Sequence, residues 1–199
     1  MNYKRLIRLA GNLLLFSLLT FISTQCSTSL RRFPAGTTSV DISGRNILVV
    51  AYDNALNSGL AEKGFAGGVA NAAGTIKVLP TVPDSLKGVS SAFAGYGLNN
   101  NGAVNTSDSK MALINEIVAL SSGIGSNFDY ILIASIEPGN NSVLLPTVKT
   151  VRYLASLYDV NNRRVAAAVE STGPLPGTGD AGVVTAAGKS LVSKLLTGQ

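Results

Sequence analysis

The side chains of this chain that could do chemistry form a short inventory: one thiol, Cys26, 11 carboxylates and no imidazole. Without histidine, Ser-His-Asp and Cys-His nucleophilic sites are excluded, as are histidine-ligated metal centres. Composition leaves carboxylate chemistry. Asp53, Asp129, Asp159 and Glu137 fall at the ends of predicted strands, where acids on neighbouring strands could share general acid-base work. Aspartate at a strand end usually accepts hydrogen bonds from the backbone N–H groups of the following turn, and that is the role expected here. No catalytic residue is assigned, and the chain is read as not an enzyme. A cation site built from Asp53 and Asp159 is not expected either, because calcium takes about six or more oxygens and no Asp-rich loop has the required spacing. Two glycine motifs are set aside. Gly177-Thr-Gly-Asp-Ala-Gly182 satisfies G-x-G-x-x-G, but a Pro-containing loop precedes it and no second strand follows. Gly188-Lys189-Ser190 ends like a phosphate-binding loop, yet Val183 stands where the first glycine belongs. No cofactor and no metal are expected.

Cys26 gains meaning from what precedes it. Lys4, Arg5 and Arg8 open the chain, and the apolar run from Leu13 to Ile22 follows. That run is shorter than the ~20 apolar residues of a spanning helix and suits the hydrophobic region of a signal peptide. Residues 1–25 are therefore predicted to be a lipoprotein signal peptide, although Ser23-Thr24-Gln25 departs from the usual leucine-like and small residues before the cysteine. The Cys26 thiol would carry diacylglycerol and become the new N-terminus. Each buried methylene contributes about 0.8 kcal/mol, and two or more acyl chains anchor stably. The expected location is the outer membrane, because Ser27-Thr28 lacks the aspartate associated with inner-membrane retention. Residues 26–45, polar and punctuated by Pro34 and Gly36, read as the lipidated cysteine and a flexible tether.

Removal of residues 1–25 changes the charge balance. Three of the 16 basic residues lie in the signal, leaving 13 against 11 acids, a net +2. The remaining cations form no stripe interleaved with aromatics, so nucleic acid is not an expected partner. Arg31-Arg32 and Arg163-Arg164 are expected to be solvated. The rest of the chain, residues 46–199, is long enough for one α/β domain with a core of its own.

Asn46 to Tyr52 is a nearly continuous apolar run, as in strands covered on both faces. Ala55 to Gly74 permits a helix that Gly59, Gly64, Gly67 and Gly68 weaken. Ile76 to Leu79 suits a short strand and Leu86 to Phe93 a short helix, and Gly95 to Asn105 reads as a loop. Ser107 or Asp108 can cap a helix reaching Leu120, with Met111, Ile114, Ile117 and Val118 on its core face. Tyr130 to Ile136 is a second doubly buried strand. Val148 to Asp159 and Arg163 to Glu170 form a hairpin around Val160-Asn161-Asn162, with asparagine expected to take the positive φ of the turn. On its second arm Val165, Ala167 and Val169 are expected to share one apolar face. A terminal helix runs from Asp180 to Leu196, with Val183 or Val184, Ala187, Leu191 and Leu195 inward. The fold class is thus α/β: a mixed sheet with helices packed on it, a hairpin in its C-terminal half and a final helix.

The segments Ile47 to Asn54, Phe128 to Ile136, and Tyr153 to Val160 with Arg163 to Ala167 together resemble the envelope α/β domain shared by the TolB N-terminal domain and by CsgG-like and LpoB-like lipoproteins. The resemblance implies a small mixed sheet with helices packed on it, used for protein contacts in the envelope. Together with the anchor and the empty catalytic inventory it leads to a lipid-anchored, non-enzymatic module that binds or assembles another envelope component, protein rather than glycan, with a carboxylate-based enzyme as the last alternative. The alternative it brings is an oligomeric secretion component of the CsgG kind, in which copies of the chain would associate. The partners expected are therefore the membrane, an envelope protein and, in that alternative, the chain itself.

Overall fold

The computed structural model describes residues 27–56, 59–70, 72–94, 101–105, 109–125, 127–139, 149–174 and 181–197. At its centre lie the two most apolar segments, β2 (Asn46–Asp53) and β4 (Tyr130–Pro138). Their side chains are apolar on both sides of the pleat, so each must be covered twice, and they pair in parallel from Ile47↔Tyr130 to Asp53↔Ile136. The short β3 (Thr75–Val78) adds in parallel outside β2. On the other side β5 (Thr150–Asp159) and β6 (Arg164–Pro174) form the expected antiparallel hairpin against β4. A sixth strand, β1 (Ser27–Arg32), closes the sheet, giving the order β1-β6-β5-β4-β2-β3.

The fold is α/β, with helices on both faces of a mixed sheet. On one face α1 (Ala61–Val69) and the C-terminal α4 (Ala181–Thr197) cover Ile47, Val49, Leu132, Ala134 and Leu157. On the other, a single 3-10 turn (Asp84–Leu86), α2 (Val89–Ala94) and α3 (Ser109–Ser121) cover Leu48, Val50, Ile131, Ile133 and Tyr158. The glycines that weaken the helical reading of 55–74 have a packing purpose. A Cβ on Gly68 would lie 2.5 Å from Val192 Cβ, and one on Gly188 would lie 3.0 Å from the Gly64 backbone. Residues without side chains let α1 and α4 meet backbone to backbone, which outweighs the propensity cost of about 1 kcal/mol per glycine.

The segment 27–45 is not a tether. β1 pairs with the outer edge of β6 from Ser27↔Thr172 to Arg32↔Ala167. Phe33 is buried, its N–H donates to Ala166 O at 2.9 Å, and Ile42 is 2% exposed within the α1/α4 core. Val40 N–H donates to Leu196 O. Nor are Arg31 and Arg32 solvated as expected, whereas Arg163 is exposed. Arg31 Nη1 donates to Ala94 O at 2.7 Å, and Arg32 Nη2 donates to Lys194 O and Leu195 O, where a cation satisfies the last carbonyls of α4. The domain therefore starts no later than Ser27.

Three local expectations change. The positive φ of the hairpin falls on Arg163 (49°), while Asn162 is held by Asp159, whose carboxylate accepts from its backbone N–H and its side-chain amide. With Asp159 paired to Arg164, the loop has the four residues Val160 to Arg163 instead of the three of Val160-Asn161-Asn162, and only its last residue need be left-handed. A bulge in β6 shifts the register between Leu157↔Ala167 and Tyr158↔Val165. Val165 therefore faces the α2/α3 side, whereas Ala167 and Val169 face α1/α4. In α3, Ile114 and Ile117 are buried, but Val118 is 45% exposed and lines an open cavity beyond the start of β4. In α4, Val184 is the inward residue and Val183 is 53% exposed. Cys26, the 1–25 signal, Ser107, Asp108, most of the Gly177–Gly182 motif and Asp180 lie outside the described residues.

Candidate functional site

The chain leaves β2 for α1 on one face and enters β4 from α3 on the other. The carboxyl ends of these adjacent parallel strands thus form a switch point, where α/β sheets open a crevice for ligands. Asp53, Asn54 and Glu137 stand there. Asp53 Oδ1 accepts from the N–H groups of Ala55 (3.0 Å) and Leu56 (2.7 Å), so the carboxylate terminates the strand as an Asx turn. Asn54 N–H donates to Ile136 O at 2.8 Å, and its side-chain amide donates to Glu137 Oε2 at 3.1 Å. Glu137 sits opposite Arg152, which in turn donates to Glu170 Oε1 at 2.8 Å. That pair is about a third exposed on each side, so it fixes geometry more than it stabilises. Glu137 Oε1 is buried and has no hydrogen-bond partner among the described residues.

Behind this row lies Tyr52, whose phenol oxygen accepts from the backbone N–H groups of Gly88 (2.8 Å) and Ser90 (3.1 Å). Burial pushes the Tyr52 phenol above its ordinary value, partly opposed by its hydrogen bonds with Ser90. Tyr153, on the opposite face, is raised first by burial and then by the Asp53 charge.

At the amino ends of the parallel strands the remaining pair of predicted acids comes together. Asp129 Oδ2 accepts from Asn46 N–H at 2.8 Å, and Oδ1 lies 3.7 Å from Arg45 Nη1. Asp159, paired with Tyr130, is the acceptor that holds Asn162. The Tyr130 phenol is raised by burial and by the Asp159 charge. Beside them opens a cavity of about 440 Å³, with Val118, Phe128, Ile131 and Val160 on its apolar side and Ser122 and Asn161 on its polar side. Its size is within the range of small-molecule sites.

The sheet thus sorts the four predicted acids into two pairs, Asp53 with Glu137 and Asp129 with Asp159. Asp53 pairs with Ile136 and Asp159 with Tyr130, so about 20 Å of β4 separates the two ends. Asp53 and Asp159 cannot share one cation. Three of the four carboxylates accept from backbone N–H groups, a structural commitment that removes oxygens from acid-base work. Among the described residues no group of three or more Cys, Asp or Glu side chains could hold a metal ion. Sequence reasoning missed Tyr52, Asn54, Arg152 and Glu170. Counted outward from Asp159↔Arg164 without the bulge, Arg152 and Glu170 would fall on opposite faces; the bulge brings them onto one face.

No protein-family model matches the chain, and no curated protein matches it in sequence. Among solved structures it is similar to a PelC dodecamer from Paraburkholderia phytofirmans, with 14% identity and a TM-score of 0.45 over 87% of this chain and 100% of that one. It is also similar to a point variant of the PelC dodecamer from the same organism, with 13% identity and a TM-score of 0.46 over 86% and 99% of the two chains.

Proposed function

We propose that the chain is a lipoprotein of the cell envelope, anchored through Cys26 in the outer membrane, whose α/β domain binds or organises another envelope component without catalysing a reaction. The observation that carries this reading is the placement of the chain's only cysteine directly after a basic and apolar leader and directly before the first strand of the fold. A thiol at that junction suits lipid attachment. The committed carboxylates and the lack of histidine support a binding role. The β5–β6 hairpin is paired on both sides, by β4 and by β1, so it is part of the sheet and does not supply a membrane-inserting hairpin of the ring-forming secretion type.

Intact mass of the native protein and of Cys26→Ala, each partitioned into detergent, tests the anchor. A diacyl or triacyl increment present in the first and lost in the second is the expected result. An unmodified chain beginning after residue 26 overturns it. For the binding role, envelope cross-linking followed by affinity purification should recover one predominant protein. Recovery of nothing above an unrelated lipoprotein control would sink that half of the proposal.

A further inference from the structure

Resting on the lipid anchor proposed above, we infer that the domain lies directly on the lipid surface through the rim formed by the carboxyl ends of β2 and β4, with the cavity-bearing amino rim turned away from the membrane. Chain length sets this orientation. Ser27 is already in register with Thr172, and Thr172 with Arg152, which stands opposite Glu137. The N-terminal end of β1 is therefore at the same rim as the ends of β2, β4 and β6. Consecutive Cα atoms are about 3.8 Å apart, so a lipid on Cys26 is joined to this rim with no intervening spacer. A folded body held so closely cannot turn its far side to the bilayer, because β5 alone carries the chain about 30 Å from one rim to the other.

The chemistry of the rim suits a headgroup layer. Three of its acids accept hydrogen bonds within the domain: Asp53 from two backbone N–H groups, Glu137 from the Asn54 amide and Glu170 from Arg152. Lys149 at the start of β5 is exposed, and so is Val183 in the first turn of α4, which lies beside the first turn of α1 because Gly64 meets Thr185 and Gly188. Gly139 and Thr150 are joined at this rim by a 2.8 Å hydrogen bond. Lys149 thus presents an exposed cation to anionic lipid at this rim. At the amino rim, Asp129, Asn161 and the cavity of about 440 Å³ face the aqueous space, where a partner can reach them.

The test uses the full-length protein. Because lipid consumes the Cys26 thiol, a cysteine introduced by Lys149→Cys or Asn161→Cys is the only one open to a nitroxide label; both positions are exposed. The labelled proteins are reconstituted in phosphatidylethanolamine and phosphatidylglycerol vesicles containing a nickel-chelating lipid. Relaxation of the nitroxide by membrane-bound nickel should be several-fold stronger at position 149 than at position 161. Equal or reversed relaxation, in protein whose mass carries the lipid increment, overturns the orientation and leaves the anchor standing. Absence of the increment together with failure to bind vesicles overturns both.

Discussion

On one face of the sheet α1 and α4 approach through Gly64, Gly68 and Gly188 until backbone meets backbone, sealing a core in which Phe65, Val69, Val192 and Leu195 are all inaccessible to solvent. On the other face α2 is six residues long and α3 carries its last turn out over a cavity. There the sheet presents Tyr52, Ser135 and Ser156 among its apolar residues, and the Ser156 hydroxyl is buried with no partner among the described residues. The contrast assigns different physical tasks to the two sides. A dry interface of small and branched residues gives stability and tolerates almost no added volume. A face that buries hydroxyls gives up some stability and keeps polar groups near the crevice at the switch point.

The largest effect expected from breaking this contrast is at Phe65. Its truncation, Phe65→Ala, should cost about 3–5 kcal/mol, read from urea denaturation. On the polar face, Tyr52→Phe deprives the Gly88 and Ser90 N–H groups of their acceptor and should cost about 1–3 kcal/mol. That substitution also has a pH signature. The Tyr52 phenol is raised above its ordinary value of 10.0, so the folded state keeps a proton that the unfolded chain releases. Stability is complete below that value and declines as pH rises through the folded one. Tyr130 and Tyr153 are shifted the same way, and urea melts across that alkaline range should show the loss, reduced in Tyr52→Phe.

Smaller effects sharpen the comparison. Gly68→Ala gains about 1 kcal/mol of helix propensity but places a Cβ against Val192, an overpacking cost of about 1–3 kcal/mol. A net loss near 1 kcal/mol is expected, and a stabilised variant would show that α4 can slide away from α1. Least of all, Ser156→Ala should change stability by no more than about 1 kcal/mol and in the stabilising direction, because it removes a buried hydroxyl with no partner. Marked destabilisation would mean that this hydroxyl has a bound partner in solution.

Elements announced by their own side chains were legible in the sequence. The continuous apolar runs of β2 and β4 matched strands covered on both faces, and the spacing of Ala187, Leu191 and Leu195 marked the inner side of α4 while leaving Val183 or Val184 open. β1 was opaque because Ser-Thr-Ser-Leu-Arg-Arg has one apolar side chain, and its reason to be a strand is the open edge of β6. The bulge at Ala166 was opaque for a different reason. The three consecutive alanines 166 to 168 are alike on both faces, so a change of parity among them leaves no mark in the sequence. At the switch point, Asp53 was recognisable as a turn residue from its position after an apolar run. The Arg152–Glu170 pair depends on a register that only the folded hairpin defines.

The contacts that join the first strand to the last elements also dictate an order of events. Ser27–Arg32 can pair only after Ala167–Thr172 exists, and the guanidinium of Arg32 reaches carbonyls 162 and 163 residues further along the chain. Contacts of such long sequence separation form slowly, because the intervening chain must be organised first. A polypeptide passing through a translocation channel with its N-terminus leading would therefore deliver nearly its whole length before the sheet could close. The same fastening of beginning to end that completes the fold keeps it from being completed too early.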